Sequence, residues 1–184
     1  RSLNLNEAMA SVSYVSDGVR HSRELFVSYP DQVLVINLKA DQPGALNFTL
    51  APRIPYLKSL REEDRKTGTV TVEGDTIILK GTLPNEGNNF EAQFRVLHDG
   101  GKLVPKGGTI KVSGADSVSI LVVAGTNYEP GSEVFLKNSR AKLDPKKFPH
   151  KRLSKIMEAA VFQGSEKLRE RHLADYKNLF DRVD

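Results

Sequence analysis

The stretch SVSILVVAGTNY, residues Ser117–Tyr128, decides the fold because five apolar residues, Ile120–Ala124, follow one another at its centre. A strand with one face in water alternates apolar and polar residues, whereas a short continuous apolar run indicates a strand buried on both faces. The run VLVINLKA, residues Val33–Ala40, has the same character. Both runs therefore predict inner strands of a β-sheet.

Shorter strand patterns surround these two runs. VRHSRELFVS (Val19–Ser28) follows the turn signal SDG, in which Asp and Gly tolerate a positive φ. In FEAQFRVL (Phe90–Leu97), the apolar residues recur with a period of two. About ten short strands separated by Gly, Pro and Asp turns predict a mainly β chain, an antiparallel β-sandwich, with a barrel as the alternative.

The pattern becomes helical near the C-terminus. In HKRLSKIMEAAVFQ (His150–Gln163) and in the residues after Ser165, apolar side chains share one stripe. Gly164 is expected to end the first helix, and the Ser165 hydroxyl to cap the next. The sequence thus predicts two C-terminal linker helices after the sandwich. Lys58–Gly68 is expected to be a loop.

Charge divides the chain in two. Residues 1–136 hold 14 Lys and Arg against 16 Asp and Glu, whereas residues 137–184 hold 13 against 7. We interpret 1–136 as a β-sandwich domain and 137–184 as a basic connector and helical linker. The absence of Cys excludes disulfides, thiolate catalysis and Cys-ligated zinc. No apolar run approaches the roughly 20 residues of a membrane helix.

No motif in the chain predicts a catalytic, cofactor or metal site. The four histidines are not spaced as metal ligands on one element, and neither a nucleophile elbow nor a phosphate loop is present. Glycosidase chemistry needs two facing carboxyl groups. The candidates by residue type, which we interpret as solvated carboxylates, are Glu24, Asp31, Glu91 and Asp116.

The basic stretch Lys137–Lys155 has eight Lys and Arg and one acid, Asp144. Nucleic-acid binding is the functional interpretation of such a stretch. Only Phe135 and Phe148 are aromatic neighbours, so no stacking platform of the usual kind is visible. A solvated connector, or a face that docks on an acidic partner domain, is the preferred interpretation, and we expect neither nucleic acid nor a membrane as partner.

Several sequence segments resemble the N-terminal β-sandwich of glycoside hydrolase family 95, the α-L-fucosidases and their relatives. The long stretch Val12–Leu50 carries RE, FVSYPDQV and ADQPGALNF in order. SGADSVSILVVAGTNY (Ser113–Tyr128) resembles the closing strand of that domain. HLADYKNLFDRV (His172–Val183) resembles the helix that joins the sandwich to the catalytic barrel. The resemblance covers most of Leu3–Val183.

The resemblance implies a supersandwich-like domain. It also implies that the chain begins within that domain, after the family's first strands, and ends before an (α/α)6 catalytic barrel. Because the catalytic carboxylates of the family belong to that barrel, none is carried over to this chain. The implied parent enzyme is an exported protein that hydrolyses terminal α-L-fucosides or L-galactosides of glycans with inversion. The chain itself is expected to be non-catalytic.

The last helix then becomes an interface with the barrel. The residues expected there are His172, Asp175, Tyr176 and Phe180. Without the barrel, an exposed apolar stripe and self-association through the linker helices are expected. Two other functions stay open, namely nucleic-acid binding through Lys137–Lys155 and a stand-alone carbohydrate-binding module. Sugar stacking in such a module would use Tyr14, Tyr29, Tyr56 or Tyr128.

Overall fold

The computed structural model describes residues 1–54, 67–83, 87–128, 131, 143–144 and 146–182. Most of the predicted loop Lys58–Gly68 lies outside these residues, and its last two residues begin a strand. The proposed domain boundary at residue 136 also lies outside the described residues.

Eleven strands and one helical element make up the described part of the chain. In chain order they are β1 (Ser2–Asn4), β2 (Met9–Ser16), β3 (Val19–Ser28), β4 (Val33–Ala40), β5 (Leu46–Leu50), β6 (Thr67–Glu73), β7 (Thr76–Thr82), β8 (Asn89–Asp99), β9 (Lys102–Lys106), β10 (Thr109–Ala115), β11 (Ser117–Thr126) and α1 (His150–Phe180).

The strands form two antiparallel sheets of unequal width. The larger sheet has eight strands in the order β1-β2-β3-β4-β11-β8-β7-β6, and the smaller has the order β5-β10-β9. The two predicted inner strands, β4 and β11, are neighbours at the centre of the larger sheet. The predictions of a mainly β, antiparallel chain and of these inner strands are therefore confirmed.

The central strand β11 sends apolar side chains to both faces of the larger sheet. Val118 and Ile120 belong to a core cluster shared with the smaller sheet, to which that sheet contributes Leu46 and Ile110. Because side chains alternate along a strand, Leu121 lies on the opposite face, in a second cluster with α1. The larger sheet is thus covered on both faces at its centre.

The helix α1 supplies four of the ten buried residues of the second cluster. Its buried apolar residues pack against Phe26 of β3 and Val35 of β4, and all of them are at most 4% exposed. Full burial of a leucine side chain contributes about 1.5–3 kcal/mol, so α1 is bound to the sheet by hydrophobic contact along much of its length. The helix residues are Leu153, Met157, Ala160 and Leu168.

The hairpin between β2 and β3 has the predicted geometry. Asp17 has φ 51° and Gly18 has φ 79°. Two consecutive positive φ values match a two-residue turn whose twist suits a right-handed β-hairpin, and Asp-Gly tolerates them. The SDG signal therefore fixed this register correctly, with Ser16 paired to Val19.

The structure has one helical element where two helices were predicted, although the predicted break at Gly164 is present as a kink inside it. Gly164 has φ 75° and ψ 162°, a conformation that is essentially restricted to glycine. The Ser165 hydroxyl donates to Asn37 Oδ1 at 2.9 Å instead of capping a new helix. The chain bends at Gly164 and continues as helix because the residues on both sides pack on the same sheet. No helix among the described residues is long and apolar enough to cross a membrane.

Leu121→Ala tests whether the doubly covered centre holds the fold. Leu121 lies on β11 and is fully buried against α1, so we expect the free energy of unfolding to fall by about 2–5 kcal/mol. Leu3→Ala, at a side chain that is 65% exposed, is the control and should change it by less than about 0.5 kcal/mol. Urea unfolding measures both, and equal losses would contradict the assignment.

Candidate functional site

The second half of α1 is fastened to the N-terminal strands by polar contacts. His172 is 5% exposed, and its Nε2 donates to the Glu7 carbonyl oxygen at 2.8 Å. Arg169 reaches the Glu7 carboxylate at 3.4 Å. The Arg171 guanidinium lies 2.9 Å from Asp31. These contacts hold the end of α1 in one position across β1–β3.

A row of stacked rings runs along the same face of α1. The His172 ring stacks between Phe26 of β3 and Tyr176, with centroids 5.1 and 6.1 Å away. Phe180 stacks on Tyr176 at 5.2 Å, and the Tyr176 hydroxyl donates to the Leu5 carbonyl oxygen at 2.6 Å. The row begins in the core and ends at the surface, where Phe180 is 39% exposed.

An apolar groove lies beside this row of rings. A groove of about 370 Å³ lies between β1–β3 and α1, and Leu3, Val27, Tyr29 and Tyr176 line it. Leu3, Val27 and Tyr29 are each more than 60% exposed. We call these four residues and Phe180 the terminal patch. Contiguous exposed apolar surface commonly marks a contact with another domain or protein.

The four predicted interface residues do not share one environment. His172 is buried and engaged with β1–β3, so it supports the patch from below. Tyr176 and Phe180 belong to the terminal patch, and Asp175 lines the same groove. Asp175 makes no hydrogen bond or ion pair with another described residue, so its carboxylate is free to meet a partner. Their role at an interface stays a prediction.

A buried polar cluster fixes the other end of α1. The Glu91 side chain is 0% exposed, and its Oε1 lies 2.7 Å from His150 Nδ1. Gln93 Nε2 donates to the same oxygen at 2.7 Å and to Ser154 Oγ at 3.0 Å. Glu91 Oε2 has no hydrogen-bond partner among the described residues. The cluster connects β8 to the first turns of α1.

The interpretation of Glu91 as a solvated carboxylate was wrong. The period-two pattern correctly places Phe94 and Val96 on the face toward the smaller sheet. The opposite face of β8, which carries Glu91 and Gln93, is covered by α1 and is the more buried one. The alternating pattern of the sequence contains no signal for the burial of Glu91 and Gln93. It shows which residues share a face of the strand, but it does not show that a helix distant in sequence covers the polar face.

The other three carboxylate candidates also differ in environment. Glu24 is exposed on β3, as expected. The Asp31 side chain is only 5% exposed and binds Arg171, so it is not solvated as interpreted from the sequence. Asp116 is exposed, and its Oδ1 accepts the backbone N–H of Gly44 at 2.6 Å. Asp31, Glu91 and Asp116 are thus engaged in contacts between elements of the fold.

Within the described ranges, no three His, Cys, Asp or Glu side chains cluster closely enough to hold a metal ion. The histidines lie on separate parts of the fold. His21 is in β3, His98 is near the end of β8, His150 begins α1 and His172 is in its second half.

A family model matches residues 1–131 of the chain. Its description is "Glycosyl hydrolase family 65, N-terminal domain". The matched range covers all eleven strands and ends before α1.

Curated relatives match nearly the whole chain. Alpha-L-fucosidase 2 of Arabidopsis thaliana is 29% identical over 202 residues, covering 100% of this chain and 23% of its own length. Probable alpha-fucosidase A of Aspergillus oryzae is 25% identical over 188 residues, covering 97% of this chain and 24% of its own. The chain thus spans about a quarter of the length of the curated relatives it matches, and the resemblance to α-L-fucosidases is confirmed.

A solved structure shares the fold. A putative kojibiose phosphorylase from the human microbiome superposes with a TM-score of 0.60 at 10% identity, over 97% of this chain and 24% of that one. At this identity the likeness concerns the fold alone.

Two substitutions in the buried cluster at the start of α1 are expected to lower the unfolding free energy by different amounts. His150→Ala leaves the buried Glu91 carboxylate with Gln93 as its remaining described partner, so we expect a loss of about 1–3 kcal/mol in unfolding free energy. Glu91→Leu removes the buried charge at similar volume and should cost less. Urea unfolding measures both, with exposed Glu24→Leu as control. A larger cost for Glu91→Leu than for His150→Ala would contradict this account.

Proposed function

The chain belongs to the family of glycosyl hydrolase family 65 N-terminal domains, and we propose that it is the non-catalytic N-terminal portion of a longer glycoside hydrolase resembling α-L-fucosidases. The α-fucosidase relatives, of which the chain spans about a quarter, support this assignment. The packing of the two antiparallel sheets against each other supports a supersandwich-like architecture for the domain.

In the proposed parent enzyme, a separate (α/α)6 domain of the same chain carries the chemistry. Terminal α-L-fucosides or L-galactosides would be hydrolysed with inversion. A carboxylic acid protonates the leaving oxygen while a second carboxylate activates water on the opposite face, and the two carboxyl groups stand about 6.5–9.5 Å apart. The candidate carboxylates Asp31, Glu91 and Asp116 are engaged in structural contacts, which supports a non-catalytic role for this portion.

The observation that carries the proposal is the terminal patch. It combines exposed apolar side chains from β1 and β3 with Phe180, the last residue of α1. We assign this patch as the surface on which the catalytic domain docks, with Asp175 at its edge. In the isolated chain, the same patch would support self-association, because exposed apolar surface is unfavourable in water.

A stand-alone carbohydrate-binding module is the alternative from the sequence. Of the tyrosines that it would use, Tyr14 stacks on His21 at 5.1 Å and carries the Arg23 guanidinium 5.5 Å from its ring centroid. Its ring is therefore already in contact with neighbours from β3. Tyr56 lies outside the described residues. Because the Tyr14 ring already contacts these neighbours, it gives little support to a carbohydrate-binding module in which Tyr14 stacks on a sugar.

The absence of catalysis is directly measurable. The purified chain should release no nitrophenol from a nitrophenyl α-L-fucoside above the rate of the buffer, whereas the full-length parent should hydrolyse the same reporter. Turnover by the pure chain, retained after a second chromatography step, would overturn the non-catalytic assignment. Inactivity of the full-length parent toward both fucosyl and L-galactosyl reporters would overturn its proposed substrate class.

Phe180→Asp tests the docking surface. In the full-length parent, a charge placed in a buried apolar contact should lower the unfolding free energy by about 2 kcal/mol or more. Phe162→Asp is the matched control, because Phe162 lies on the same helix outside the patch and is 92% exposed.

Two comparisons separate docking from folding. In the isolated chain, Phe180→Asp should change stability far less than in the parent, because Phe180 is already partly exposed. An equal effect of Phe180→Asp and Phe162→Asp in the parent would rule out the terminal patch as the docking surface.

A further inference from the structure

A second concave surface lies at the opposite end of α1, away from the terminal patch. It is a cleft of about 680 Å³ between the end of β11 and the first turns of α1. We call it the basic groove. Its charged and aromatic lining residues are Tyr128, Lys147, Phe148, Lys151, Arg152 and Lys155.

The charged side chains described at the basic groove are all cationic. Four of them line it, all four are exposed, and no acidic side chain is among the lining residues that the structure describes. None of the four forms an ion pair with another described residue, and Arg152 makes only a long 3.5 Å contact with the Thr126 carbonyl oxygen. A cleft lined by charges of one sign concentrates the opposite charge. The groove therefore attracts anions.

The start of α1 adds to this positive field. Its first turn contains no acidic residue, and Pro149 provides no side-chain cap. The free N–H groups of a helix start carry partial positive charge. The carboxylate in contact with the first residue of α1, that of Glu91, is buried beneath His150 and is not part of the groove surface.

The backbone that carries Lys147 and Phe148 is held in place by two asparagines. Asn127 Nδ2 donates to the carbonyl oxygens of Gly87 and Asp144, both at 2.9 Å. Asn89 Nδ2 donates to the Lys147 carbonyl oxygen at 2.6 Å. Because these amides tie the segment before α1 to β8 and β11, the groove is preorganised and loses less entropy when a ligand binds.

Two aromatic rings stand beside the cations. Tyr128 is 42% exposed and Phe148 is 44% exposed, and both line the groove. A half-exposed ring offers an apolar face at low conformational cost. The apolar face of a sugar ring can stack on such a surface while acidic substituents reach the cations.

We propose that the basic groove binds an acidic glycan, a sugar chain that carries carboxylate or sulfate groups. Four cations and two rings in one compact cleft suit a short oligosaccharide. Single-stranded nucleic acid instead requires a positive groove that follows the backbone and a succession of stacking rings. The inference goes beyond the proposed function, because binding by this chain does not require a catalytic domain.

The test uses the 184-residue chain and fluorescently labelled probes. Fluorescence anisotropy compares a hexamer of galacturonic acid and a sulfated oligosaccharide of equal length with neutral maltohexaose and with single-stranded DNA of matched charge. We expect at least one acidic oligosaccharide to bind at least about tenfold more tightly than the neutral sugar. Its affinity should fall as salt rises from about 50 to 200 mM.

Matched variants locate the site. Lys151→Gln with Lys155→Gln should weaken binding at least about tenfold, and Tyr128→Ala at least about fivefold. Lys102→Gln with Lys106→Gln removes the same charge from exposed positions of β9, and Phe162→Ala removes an exposed aromatic ring of α1 that lines neither the basic groove nor the terminal patch. These two controls should change the affinity less than twofold. Circular dichroism verifies that each variant is folded.

Three outcomes would overturn the proposal. The first is that neither acidic oligosaccharide binds more tightly than maltohexaose. The second is that the β9 double variant loses as much affinity as the α1 double variant, which would indicate general charge attraction. The third is that DNA binds more tightly than both acidic sugars. None of these outcomes bears on fucoside hydrolysis by the parent, so failure here and failure of the proposed function are distinguishable.

Discussion

The need to bury both faces of β11 governs this structure. Val118 and Ile120 point to the smaller sheet, whereas Leu121 and Val123 point the other way. A strand with apolar side chains on both faces is stable only when each face is covered. The smaller sheet covers one face, and α1 covers the other. The helix is therefore a structural part of the β-domain core as well as its C-terminal continuation.

This position of α1 gives the chain two separate candidate functional surfaces. The start of the helix is fixed by Glu91 and His150 and carries the basic groove. Its end is fixed by His172 and Tyr176 and carries the terminal patch. The helical element, kinked at Gly164, thus connects the basic groove at its start to the terminal patch at its end.

Local patterns predicted the strands well because their signals lie within a few residues. The bounds of β3 and β4 and the Asp17–Gly18 turn follow from apolar runs and turn chemistry. Long-range coverage was not predictable. The burial of Glu91 depends on α1, about 60 residues away, and His172 binds Glu7 across 165 positions. Gly164 was recognised as a break, but packing on a common sheet decided that the helix continues.

Native-state hydrogen exchange of the intact chain tests the central claim that α1 and the sheet form one cooperative core. The amides around Leu153, Met157 and Leu168 should open with the same free energy as those around Leu121 in β11, because they share one buried cluster. Exchange of the α1 amides through a separate opening, several kcal/mol lower, with β11 protection unchanged, would contradict it. The helix would then be an independent linker.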